Sequence, residues 1–93
     1  MNALTEPEIQ SRIRSLPEWV VNNGLLERVF KCSSYADGVA FAIKVAMLAE
    51  KLDHHPDSLE IGWKKVRVAF VTHSAGGLTA LDFDAAAKVS GLL

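Results

Sequence analysis

A single cysteine stands among the 93 residues. One thiol makes no intrachain disulfide and no cysteine-based zinc site, so neither is expected to hold the fold. Charge of one sign is missing too. Ten lysines and arginines face eleven aspartates and glutamates, with no basic block among them. Binding nucleic acid through phosphates needs such a block, so no nucleic-acid partner is expected. Long apolar runs are absent. The longest, "VAFAI" with "VAMLA" beyond Lys44, is too short to cross a bilayer, and no membrane partner is expected. The opening "MNALTEPEIQ" lacks the basic stretch and apolar core of a secretion signal. No Pro/Gly/Ser-rich linker, internal repeat or low-complexity segment divides the chain. The expectation is one soluble domain over residues 1–93, in a reducing, cytoplasmic setting.

Apolar side chains are plentiful: 49% of residues are hydrophobic. A chain this short buries only about two-thirds of its unfolded surface, so self-association is expected. The elements follow from local signals. "TEPEIQSRIRSL" reads as a helix, capped by Thr5 with Glu8 completing a capping box and Pro7 in the first turn. "EWVV" and "LLERVFKC" read as strands joined by "NNG", a hairpin signal. "SSYADGVAFAIKVAMLAEKL" is the longest helix, with Ser34 and Asp37 as a second capping box. "SLEIGW" and "KVRVAFVTH" alternate as strands, with His73 ending the second. "LTALDFDAAAKVSGLL" closes the chain as a helix, with Thr79 as N-cap and Asp82 three residues on. The order α-β-β-α-β-β-α predicts an α+β fold, a four-stranded antiparallel sheet with three helices on one face.

From Val39 to Ala49 only Lys44 is polar. One face of that helix can cover the sheet, and the rest wants another protein surface. A homo-oligomer built partly on Ser34–Leu52 is therefore expected, with Ala42 and Met47 as positions where a charge would disturb it.

The stretch "AEKLDHHPD", Ala49 to Asp57, carries two of the three histidines, flanked by Glu50, Asp53 and Asp57. Adjacent side chains on extended backbone point in opposite directions, so His54 and His55 do not share one pocket. His73 lies beside the Gly-rich turn "SAGG", and loops at the ends of rigid elements are common site positions. Each histidine follows the end of an element, so the three can meet in one cleft. A metal site is one reading of histidines with carboxylates, but ligands on one element are usually spaced to share a face, which a directly adjacent pair does not. Nucleophilic catalysis has less support: Cys32 falls in a predicted strand, and Ser74 has no accompanying motif. General acid–base chemistry suits imidazole, whose pKa near ~6.5 lets it give and take protons at neutral pH. Glu50 precedes His54 by four residues; on a continuing helix they share a face, and Glu50 would orient that ring.

Together, Glu50, His54-His55-Pro56, Trp63, His73 and Asp82 resemble the motif of the pterin-4a-carbinolamine dehydratase family. "LPEW" at 16–19, "LERVFKCSSYADGVAF" at 26–41 and "THSAGGLTALD" at 72–82 are also similar to it, so the resemblance spans nearly the whole chain. It implies the fold above, as a homodimer or homotetramer. It also implies elimination of water from a 4a-hydroxytetrahydropterin to give the quinonoid dihydropterin, with no metal and no organic cofactor. By resemblance His54 and His73 move protons, His55 holds the pterin, and Glu50 and Asp82 orient groups of the site. Asp82 is equally placed to cap its helix, and Trp63 either packs the site wall or belongs to the core. Asp53, Ser58 and the six-residue spacer before Trp63 depart from commoner forms of the motif and bear on the pterin-contacting rim. A different class of reading is a non-enzymatic binding module of the same fold, a transcription-factor dimerisation cofactor or an assembly factor.

Overall fold

The computed structural model describes residues 2–93. In chain order the elements are helix α1 (Glu6–Ile13), strands β1 (Val20–Asn22) and β2 (Leu25–Lys31), helix α2 (Tyr35–Leu52), strands β3 (Ser58–Gly62) and β4 (Lys65–Phe70), and helix α3 (Ala80–Ser90). The sheet is antiparallel throughout, in the order β1-β2-β4-β3. The expected succession and fold class are therefore observed.

Local chemistry accounts for most boundaries. The Thr5 N–H donates to Glu8 Oε1 at 2.8 Å, and the Glu8 N–H returns to Thr5 Oγ1, so the capping box at α1 is complete. At α2 only half of the expected box forms. Ser34 accepts from the Asp37 N–H at 3.0 Å, but the Asp37 carboxylate turns to the Ser33 hydroxyl. Asn23 and Gly24 have φ of 53° and 78°, the paired left-handed residues of a type I′ hairpin, and join β1 to β2. β3 and β4 are joined by Trp63 and Lys64, so Trp63 lies in a turn and not in the expected strand. β4 stops at Phe70, short of His73. Thr72 pairs instead with Gly77 across a small loop, and His73–Ala75 form a single 3₁₀ turn inside it.

Alternation along the strands separates two faces. Leu26, Phe30, Val66, Val68 and Phe70 are buried under the helices. On the open face Arg67 of β4 donates to Glu27 of β2 at 2.7 Å and to Glu60 of β3 at 2.9 Å, tying three strands together. The hydrogen bond from Asn22 holds the Glu27 carboxyl below the usual range; burial opposes this and Arg67 reinforces it. Arg67 is correspondingly raised, first by its hydrogen bond to Glu27.

α2 buries Gly38, Ala42, Val45 and Ala49, spaced at helical intervals along one face. Ala42, expected at an exposed assembly surface, is in this core at 3% exposure. The outward apolar residues are Ile43 and Met47, 58% and 66% exposed.

Candidate active site

The histidine doublet is placed by the way α2 ends. Asp53 is left-handed, at φ 53° and ψ 37°. Its N–H donates to Glu50 O, and the His54 N–H reaches back to Ala49 O, both at 3.2 Å. This is a Schellman stop, with aspartate in the position usually held by glycine. Aspartate tolerates that conformation better than most residues because its short polar side chain bonds locally. The stop turns the chain sharply, so Glu50 and His54 do not share a helix face. The expected Glu50–His54 pairing is absent; Glu50 Oε1 meets His55 Nε2 instead, at 2.6 Å.

The partner of His54 comes from α3. His54 Nε2 lies 2.7 Å from Asp82 Oδ1, with the His54 side chain 13% exposed and Asp82 fully buried. Phe70 lies beneath the imidazole, with ring centroids 5.9 Å apart and planes 14° from parallel. The Asp82 carboxylate divides its two oxygens between different partners. Oδ1 meets His54, while Oδ2 accepts the Thr79 N–H at 2.8 Å and so closes the capping box of α3. Oδ2 also accepts from Thr72 Oγ1 at 2.8 Å.

His73 is exposed in the loop after β4, with Nε2 2.7 Å from Asp57 Oδ1. Segments 54–57 and 72–73 are thus linked twice, through Asp57 to His73 and through His54 and Asp82 to Thr72. His54 and His73 come to one end of the fold, where the sheet and α3 supply the buried support. Each imidazole Nε2 faces its own carboxylate: Asp82, Glu50 or Asp57. Among the described residues, no three His, Cys, Asp or Glu gather into a metal-ligand cluster.

Trp63 is not brought to the histidines. It is 72% exposed, so the core reading does not hold, and it stacks on Tyr35 at the start of α2, centroids 6.5 Å apart. An 18-residue helix of about 27 Å separates Tyr35 from the doublet. Residues not singled out in the sequence also join the site. Asp57 carried only the signal of being an acid beside the doublet. Thr79 was visible as a cap and nothing more. Thr72 and Phe70 carried no signal, since only folding brings them to Asp82 and His54.

Known proteins resemble this chain over nearly its whole length. The family profile described as pterin 4 alpha carbinolamine dehydratase matches residues 2–92. A protein of Acidobacterium capsulatum, provisionally named a pterin-4-alpha-carbinolamine dehydratase, is 46% identical over 93 residues and covers all of both chains. A similarly named protein of Roseiflexus castenholzii is 39% identical, covering 97% of this chain and 96% of its own. Among solved structures, a transcriptional coactivator/pterin dehydratase from Brucella melitensis superposes with a TM-score of 0.90 at 34% identity, over 98% of each chain. A pterin dehydratase-like protein described as a RuBisCO assembly factor in the alpha-carboxysome superposes with a TM-score of 0.64 at 26% identity, over 80% of this chain and 84% of its own. No helix among the described residues is long and apolar enough to cross a membrane. This chain belongs to the pterin 4 alpha carbinolamine dehydratase family.

Proposed function

We propose that this protein is a 4a-hydroxytetrahydropterin dehydratase, a hydro-lyase that uses histidines as general acid and base. The N5 lone pair of the substrate expels the 4a-hydroxyl. Hydroxide is a poor leaving group, so the C4a–O bond breaks as an imidazolium delivers a proton to that oxygen. The N5 proton passes to a base, a C4a=N5 double bond forms, and quinonoid dihydropterin and water leave. One proton is given and one taken, so no oxidant or reductant is consumed. His54 and His73 are the proton-moving groups, and His55 with Glu50 holds the pterin. The supporting observation is the His54–Asp82 pair: a mostly buried imidazole with one nitrogen committed to a fully buried carboxylate, leaving Nδ1 for a substrate. Such orientation of a ring by a carboxylate is how a histidine is prepared for proton transfer. The test is dehydration of freshly generated 4a-hydroxytetrahydropterin, followed by the appearance of quinonoid dihydropterin. A rate no faster than the uncatalysed one would overturn the proposal.

The working form is a cytoplasmic homo-oligomer, a homodimer or homotetramer assembled partly on α2, where Ile43 and Met47 are exposed. The same outward surface favours a second role as a binding module, the reading closest to the RuBisCO assembly factor of this fold. A protein that lacks dehydratase activity but retains a stable partner through α2 would favour that reading.

A further inference from the structure

Behind His54 the polar hydrogens can be followed one by one. Thr72 Oγ1 donates its only proton to Asp82 Oδ2 at 2.8 Å. Its 2.8 Å contact with Thr79 Oγ1 must then be a bond it accepts, so the Thr79 hydroxyl donates to Thr72. Thr79 Oγ1 in turn accepts from the Leu81 N–H at 3.2 Å. The chain runs one way, from Leu81 N–H through Thr79 and Thr72 to Asp82. With the Thr79 N–H, it delivers two donors to Oδ2. Thr72, Thr79 and Asp82 are 6%, 1% and 0% exposed, so solvent offers no ready replacement for a lost donor. Asp82, held as an acceptor at Oδ2, meets His54 at Oδ1. An ionised Asp82 accepts there from a ring protonated at Nε2, and the neutral imidazole then keeps its lone pair on Nδ1.

We infer that Thr72 is a positioning residue: its hydroxyl fixes the rotation of the Asp82 carboxylate, keeps Oδ1 on His54 and so holds the ring in the Nε2–H tautomer, with Nδ1 presented for proton transfer. Its backbone serves the other histidine, because the Thr72 N–H bonds Gly77 O at 3.3 Å and the Gly77 N–H returns to Thr72 O at 3.4 Å, closing the loop that carries His73. Thr72 thus braces both. The catalytic consequence rests on the dehydratase reading; the tautomer does not.

The test reads the tautomer directly, by two-bond 15N–1H correlation spectra of the imidazoles above their titration range. The His54 signals are identified by their loss in His54→Gln. Wild type and Thr72→Ser should show His54 as one Nε2–H species. Thr72→Val, which keeps the shape and removes the hydroxyl, should show a tautomer mixture. Its kcat should fall on the order of tenfold, the scale of one hydrogen bond to a charged group, while KM holds and serine restores the rate. Asp82→Asn supplies an independent arm. Its amide oxygen would keep the Thr72 and Thr79 donors, turning the NH2 toward His54 and driving the ring to the Nδ1–H tautomer. An unchanged His54 tautomer in folded Thr72→Val overturns the inference. If Thr72→Val does not fold, an unchanged tautomer in Asp82→Asn overturns it instead. A wild type without dehydratase activity but with the expected tautomers would sink the proposed reaction and leave the inference standing.

Discussion

His54 and Asp82 lie 28 residues apart in sequence and 2.7 Å apart in space, and the aspartate is the more deeply buried of the two. The carboxylate belongs to the core and the imidazole leans out from it. Removing His54 therefore strips the site of its best-supported proton-moving group. His54→Ala and His73→Ala should each chiefly lower kcat, by roughly 10²–10⁴-fold if each is the sole general acid or base at its step. Steady-state kinetics on the carbinolamine checks this, and near-normal turnover in both folded variants would contradict it.

His55 and Glu50 form an exposed pair of their own. Glu50→Gln should therefore act through His55, raising KM as His55→Ala does, the mark of lost uniform binding. An exposed pair contributes little to stability, so the unfolding midpoint should move by no more than about 1 kcal/mol equivalent. A fall in kcat with KM unchanged would instead show that Glu50 reaches the proton-transfer step.

Activity should survive exhaustive chelation, because the proposed steps need imidazoles and not a Lewis acid. EDTA treatment followed by assay decides it. Loss of activity that a stoichiometric metal restores would point to a metal-assisted reaction.

Assembly should respond to the outward face of α2 and not to its inner face. Met47→Glu and Ile43→Glu should lower the mass seen by light scattering while the monomer stays folded. Ala42→Glu would place a charge in the core, at a cost of several kcal/mol, and should unfold the chain. A 10.1 kDa species for wild type at micromolar concentration would contradict assembly altogether.

Stability should fall in acid partly through Glu27. Its folded pKa lies below the unfolded value, so its contribution is complete above the unfolded value, near ~4.3, and is lost as pH falls through the folded one. Urea unfolding between neutral pH and pH 3 should show a shallower decline in Glu27→Gln, by on the order of 1 kcal/mol. Parallel declines would show that the Asn22–Glu27–Arg67 network carries no net linkage.

The parts of the fold legible in the sequence were those written within a few residues. Thr5 with Glu8, Thr79 with Asp82, and Asn23-Gly24 are local hydrogen-bond or torsion signals, and each appears where expected. The order of elements followed from them. The three histidines, Glu50 and Asp82 stand out as well, but the expected pairing of Glu50 with His54 is not the one observed. Four-residue spacing put Glu50 beside His54 only if the helix continued, and left-handed Asp53 ends it. Thr72 and Asp57 find their partners 10 and 16 residues away through chain reversals that no spacing rule encodes. Trp63 illustrates the opposite error. A large aromatic suggested wall or core, yet the short connection between β3 and β4 turns it outward against Tyr35.

The Schellman stop at Asp53 makes the length of α2 a functional coordinate in its own right. Successive helical residues are about 100° apart around the axis. Adding or deleting one residue between Val45 and Ala49 would leave every side chain of the site in the protein. It would nonetheless swing His54 away from Asp82 and turn a different residue toward the carboxylate. Relatives or designs that vary the helix in whole turns would keep the aim of the doublet, and those that vary it otherwise would lose it with their motif intact.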